Sequence, residues 1–155
     1  MAPLVSIVVP CYATAQRQLT LLDETLTTVA AQTHRNFEVL VVDDGSPVDV
    51  AAAVGKHPAT RVIRQANTGC AAARNTGIAA ARGDFFVFLD SDDYLLPAAL
   101  ERGLAQFDHH PETGFTVGQR EEMTYEGNPV PWGIPAMPES TDLYKTLLGF
   151  DWYII

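Results

Sequence analysis

The chain has 155 residues, 47% of them apolar and 19% charged, with a formal net charge of −9. This length suits one domain, can bury about 68–70% of its unfolded surface, and with this composition excludes a disordered chain. The acidic balance excludes an electrostatic footprint for nucleic acid or an anionic membrane. It leaves open an anionic substrate bound through a metal, because a bound cation inverts the local charge logic.

Leu4–Val9 is a short β-rich run that reads as a buried strand ended by Pro10. Leu19–Gln32 follows, with Leu22, Leu26, Val29 and Ala30 at helical spacing. Phe37–Val42 is a second strand. Pro47–Val54 reads as a short helix capped by Ser46, with Pro47 at the first helical position. Arg61–Arg64 is a third strand, and the Ala-rich segment Thr68–Ala81 is a helix closed by Gly83. Phe85–Leu89 is a fourth strand and Pro97–Phe107 a further helix. This alternation predicts an α/β fold with a mostly parallel sheet and helices on both faces.

Beyond residue 111 the character changes. Phe115–Val117 suggests one more strand, Thr141–Gly149 a helix, and the segment 126–139, with Pro129, Pro131, Pro135 and Pro138, a loop or lid. The aromatic, β-branched run Asp151–Ile155 reads as a strand whose continuation is cut away. Cys11 and Cys70 lack metal-ligand spacing and read as small buried thiols in a reducing compartment. The Leu4–Pro10 run is too short for a signal peptide or a membrane span. The expected location is cytoplasmic, extending to peripheral attachment at the inner face of the membrane.

Two acidic strand ends carry the chemistry. Phe85–Leu89 runs straight into Asp90-Ser91-Asp92-Asp93, and Val39–Val42 into Asp43-Asp44-Gly45-Ser46. Adjacent carboxylates repel unless something cationic compensates, and hard divalent ions bind carboxylate and phosphate oxygens. Each run alone also fits an Asp-rich turn that caps the next helix. Two in one sheet would line one crevice, because open α/β sheets bind ligands at the carboxyl ends of their strands. Strand periodicity puts Asp90 and Asp92 on the same side, where both can face one ion or its ligand. One carboxylate of Asp43-Asp44 would accept from a base N–H or a ribose hydroxyl. Arg74 and Asn75 are polar groups presented by the Ala-rich helix, or surface residues of a well-packed one. The dinucleotide Gly-x-Gly-x-x-Gly fingerprint and the Gly-Lys-Ser/Thr phosphate loop are both missing.

Taken together, these pieces resemble the nucleotide-binding half of a family 2 glycosyltransferase with the GT-A fold. The matching segments are Val5–Tyr12, Gln32-Thr33, Val41–Ser46, Asn67-x-Gly69 running to Ala73-Arg74-Asn75-x-Gly77, Gly83-Asp84 and Phe88–Asp93. The resemblance implies sugar transfer from a nucleotide-diphosphate donor to an acceptor hydroxyl, inverting and dependent on Mn²⁺ or Mg²⁺. It implies Pro10, Tyr12, Asp43, Asp44, Arg74, Asp90 and Ser91 around the nucleotide, and Asp92 with Asp90 at the metal. The acceptor is left open among glycan, lipid and small molecule.

The chain departs from the family at Ala13, where Asn is frequent, and in the unusual Thr14–Gln18 segment. No motif marks a catalytic base: Glu121, Glu122 and Asp151 carry none, which puts the base beyond Ile155. The expected division is a donor-binding subdomain over 1–110 and an incomplete, loop-rich start of the acceptor side over 111–155, truncated at its C-terminus. A cut sheet edge invites pairing between copies. The alternative function is a fragment that binds nucleotide sugar and metal without turnover. A nucleotidyltransferase fits poorly, since it expects a glycine-rich basic loop where Pro10-Cys11-Tyr12-Ala13 stands. A phosphoacceptor receiver places its acidic pair after the first strand, not the second.

Overall fold

The computed structural model describes residues 2–118, 121–124 and 127–130. Its sheet has four strands, β1 (Val5–Cys11), β2 (Phe37–Asp43), β3 (Thr60–Arg64) and β4 (Phe85–Phe88). All pairings are parallel and the order is β3-β2-β1-β4. Every residue of β1 is buried, and so is nearly all of β2. Both are interior strands covered on two faces, which is why they read as unbroken apolar runs. In β4 the pattern alternates. Phe85 and Val87 pack on the core, whereas Phe86 and Phe88 are exposed.

β1 does not stop before Pro10 but continues through it to Cys11. The carbonyl of Val8 accepts from Leu89 N–H, so Val8 and Pro10 both turn their peptide groups toward β4. β4 has ended at Phe88 by that level. The N–H that proline lacks therefore had no ladder partner to lose.

The helices among the described residues are α1 (Gln16–Ala30), α2 (Val50–Val54), α3 (Cys70–Ala80) and α4 (Ala99–His109). Leu22, Leu26 and Val29 of α1, Val50 and Val54 of α2, and Leu100 of α4 pack with Ile7, Val9, Val39 and Val41. The opposite face, with Val8, Leu40 and Val42, is covered by Ala73 of α3. Small residues let α3 lie close to the sheet. A Cβ on Gly77 would fall 2.3 Å from Val8 Cγ1.

The ends of several elements differ from the expectation for local reasons. α1 begins three residues before Leu19, because Gln18 Oε1 accepts from the N–H groups of Thr14 (2.6 Å) and Ala15 (3.1 Å). The cap of α2 is Asp49, accepting from Ala52 N–H at 3.1 Å, and not Ser46, which is used elsewhere. Gly83 is not the helix terminator, since α3 ends at Ala80 and Gly83 N–H donates to Ser6 Oγ at 2.8 Å. Ser6 in turn donates to Glu38 Oε1 at 2.8 Å, and Arg82 closes on Glu38 Oε2 at 2.9 Å.

Phe115–Val117 is not a strand. Met123 and Pro129 form one isolated antiparallel bridge among the described residues. The expected helix over 141–149, most of the 126–139 loop and the strand at 151–155 lie outside the described residues. The chain divides into two compact units, Met1–Leu104 and Ala105–Ile155. Among the described residues no helix is long and apolar enough to cross a membrane.

Candidate functional site

From β1 the chain moves outward to β2 and β3, then returns to place β4 on the other flank of β1. The carboxyl ends of the strands at such a reversal form the usual ligand crevice of an open α/β sheet. A cavity of about 210 Å³ opens there. Pro10, Cys11 and Tyr12 line it from the end of β1, and Asp44 from the end of β2. Cys70 and Ala73 come from the first turn of α3, and Asp90, Ser91 and Asp92 from the segment after β4.

The two acidic pairs are not equivalent within themselves. Asp43 is 2% exposed and does not line the cavity. Its Oδ1 accepts from Ser46 N–H at 2.8 Å and its Oδ2 from Arg64 Nη1 at 2.7 Å. Arg64 Nη2 also donates to the Ser46 carbonyl at 2.8 Å. Ser46 Oγ accepts from Ala13 N–H at 2.9 Å, which fixes the chain just past Tyr12.

Asp44 faces the cavity but is already well supplied with donors. Thr68 N–H (2.9 Å) and Gln65 Nε2 (2.8 Å) reach Oδ1, and Gly69 N–H (2.8 Å) reaches Oδ2. The Thr68 N–H bond holds the Asp44 carboxyl below the usual range against the opposing effect of burial, aided by Gln65 and Gly69. Asp44 thus shapes the loop that enters α3. Gly45 makes that approach possible. Its φ is +79°, and a Cβ there would meet Asn67 N at 2.8 Å.

The second cluster is built by a turn rather than by strand alternation. β4 ends at Phe88, and Asp93 N–H closes on the Asp90 carbonyl at 3.1 Å. This turn brings Asp90, Ser91 and Asp92 together onto the cavity wall. Asp90 Oδ1 accepts from Arg74 Nη2 at 2.8 Å, so Arg74 reaches the site through Asp90. Arg74 Nε is buried without a partner among the described residues. Burial pushes the Cys11 thiol up to about 11, with Asp43 and Asp92 adding to the effect and a Ser91 hydrogen bond opposing it. Cys11 is therefore the inert buried thiol expected, whereas Cys70 is exposed.

The Asp92 carboxylate has no protein partner among the described residues. No three metal-ligating side chains among the described residues come together there to cage an ion by themselves. The donor set suits an ion of the Mg²⁺ type, which takes one or two protein carboxylates and completes its shell with water and phosphate. Asp92 and Asp90 are the residues of the cavity that could hold such an ion.

Sequence reasoning missed Arg64, Gln65 and Thr68. A strand arginine and two loop residues carry no pattern of their own, and only the fold sets them against Asp43 and Asp44. No residue of the described chain is identified as a catalytic base. Asp151 lies outside the described residues.

A family model described as "Glycosyl transferase family 2" matches residues 6–152. The chain belongs to this family. It is 42% identical over 169 residues to the uncharacterized glycosyltransferase EpsJ of Bacillus subtilis, a match covering 99% of the chain and 47% of EpsJ. Among solved structures it is similar to Staphylococcus aureus TarS residues 1–349 in complex with UDP. The TM-score is 0.60 at 30% identity, over 69% of this chain and 32% of TarS. It is also similar to the mannosyltransferase PcManGT of Pyrobaculum calidifontis in complex with GDP-Man and Mn²⁺. There the TM-score is 0.60 at 28% identity, over 69% of this chain and 33% of that one. Over the matched part the sheet is of the GT-A type. The chain spans less than half the length of EpsJ.

Proposed function

We propose that this chain is the donor-binding half of a glycosyltransferase that moves a sugar from a nucleoside-diphosphate carrier to an acceptor hydroxyl. The observation that carries this reading is Asp92, a carboxylate without a protein partner among the described residues, lining the same cavity at the strand ends as Asp44. Pro10, Tyr12 and Asp44 form the side that receives the base and ribose. Asp43 acts from behind, holding Ser46 and through it the segment after Tyr12. Asp90, oriented by Arg74, and Ser91 form the ribose–diphosphate side. UDP in the TarS complex and GDP-Man with Mn²⁺ in the PcManGT complex support a nucleotide-sugar ligand.

Asp92 with Asp90 would hold Mn²⁺ or Mg²⁺. When bound, the ion offsets the charge that grows on the departing diphosphate. In transfer, the acceptor oxygen bonds to the anomeric carbon as the bond to diphosphate breaks, with inversion. The acceptor proton passes to a base that we place beyond Ile155.

Calorimetric titration with UDP, GDP and dTDP, each with Mn²⁺ and again with EDTA, tests the reading. One nucleotide is expected to bind, and more tightly with Mn²⁺. No binding of any of the three in either condition would remove the donor-site assignment.

A further inference from the structure

We propose that Gln32 is a positioning residue for the acidic turn, setting where Asp92 stands although it does not itself line the cavity. This rests on the donor-site reading above. Gln32 lies just past α1 and is 0% exposed. Its Nε2 donates to the Leu96 carbonyl at 2.8 Å, with the carbonyls of Thr28 (3.3 Å) and Leu95 (3.4 Å) close by. Its Oε1 accepts from Leu100 N–H at 3.1 Å, in the first turn of α4. One buried amide therefore caps α4 and ties down the chain that precedes it, with both ends satisfied.

Neighbours on α1 and beyond it strengthen the latch. Thr28 Oγ1 accepts from Leu95 N–H at 3.1 Å, and Thr33 N–H donates to the Pro97 carbonyl at 2.8 Å. The Tyr94 hydroxyl donates to Glu24. On the other side of the acidic turn, Leu89 N–H is held by the Val8 carbonyl at 3.1 Å. Asp90–Tyr94 is thus a short span pinned at both ends, one pin in the sheet and the other in Gln32 and Thr28.

Short pinned spans have few conformations to lose when a ligand arrives. An apolar side chain at position 32 would fill the volume, but it would leave Leu100 N–H without its acceptor and the Leu96 carbonyl with only the Ala99 N–H at 2.9 Å. That end of the span would then be held by Thr28, Thr33 and Glu24 without the buried amide. Groups hydrogen-bonded to a metal ligand typically govern metal affinity by about 10–100-fold, and Gln32 acts one step further back, through the backbone of the span, which sets its effect at the low end.

The test compares Gln32→Leu, Thr28→Val and Thr28→Ser in this chain, titrated with UDP and GDP against Mn²⁺ and against EDTA. In Gln32→Leu and Thr28→Val, the Mn²⁺ concentration that half-saturates nucleotide binding should rise roughly tenfold, while affinity in EDTA, which Asp90 and Ser91 share in setting, should fall by clearly less. Thr28→Ser, which keeps the hydroxyl, should match the wild type. Equal losses with and without Mn²⁺, or a lower melting temperature with the Mn²⁺ dependence unchanged, would overturn the proposal. If Gln32→Leu does not fold, the Thr28 pair decides alone. Absence of any Mn²⁺ effect in the wild-type chain would overturn the donor-site reading and the role of Gln32 with it. A Mn²⁺ effect that is equal in all variants would overturn the role of Gln32 alone.

Discussion

Arg64 stands directly opposite Asp43 in the β2–β3 register and donates its Nη1 to Asp43 Oδ2 at 2.7 Å. The arginine is 60% exposed while the aspartate is 2% exposed. The surface residue therefore supplies the cation for a buried carboxylate. Its second nitrogen holds the Ser46 carbonyl, so one guanidinium fixes both ends of the Asp43–Ser46 turn.

Arg64→Gln should destabilise the chain by about 1–3 kcal/mol, because Asp43 stays buried without its charged donor. Arg64→Lys should recover only part of this, since an ammonium cannot reproduce the planar fork. Thermal and urea unfolding measure both variants. An unchanged midpoint in Arg64→Gln would show that the pair contributes nothing.

Asp92→Asn should abolish the Mn²⁺ enhancement of nucleotide binding with no change in the melting curve, because the carboxylate has no protein partner to lose among the described residues. Asp44→Ala should behave differently. It leaves the N–H groups of Thr68 and Gly69 without their acceptor, so nucleotide affinity falls in EDTA as well as in Mn²⁺. Stability should also drop by about 1–3 kcal/mol. Calorimetry paired with melting curves separates the two. Identical behaviour of the two variants would contradict the division of labour between the clusters.

Glu38 makes folding sensitive to acid. Burial pushes its carboxyl up, but hydrogen bonds from the Ser6 hydroxyl and from the Arg82 N–H and guanidinium outweigh this and hold it below its ordinary value. A carboxyl depressed in the folded state stabilises the fold above its unfolded pKa. That contribution is lost as the pH falls through the ordinary carboxylate range and below. Urea midpoints should therefore fall on acidification, and Glu38→Gln should lower the midpoint at neutral pH and flatten its pH dependence. A Glu38→Gln profile parallel to the wild type would show that Glu38 is not the titrating group.

Gly77→Ala should cost about 1–3 kcal/mol, since the new methyl would collide with Val8 and push α3 away from β1. Ala73 on the same face shows that a methyl is accepted one turn earlier. Circular dichroism melts check the size of the effect. A wild-type melting temperature in Gly77→Ala would mean that α3 has room to shift.

The order of elements and the two acidic strand ends were legible in the sequence because both are local. Unbroken apolar runs mark interior strands, and a carboxylate run at a strand end marks the crevice side of the sheet. Helix starts were less legible. Gln18 caps through two backbone N–H groups and Asp49 through one, and such local bonds compete with equally good signals nearby, such as Ser46. Asp43 and Asp44 looked alike as neighbours. The pleat turns them to opposite sides, and only then does one become a buried brace and the other a cavity wall.

Family membership, the parallel α/β sheet and the acidic residues of the crevice were thus determined by short stretches of chain. The tertiary structure decided which carboxylates are satisfied by the protein and which is left for a ligand. Those decisions rest on contacts between residues far apart in sequence, 21 positions for Arg64 with Asp43 and 64 for Gln32 with Leu96. Such pairs leave no periodic trace, because a hydrogen bond needs only that two groups meet in space. The folded sheet brings them together.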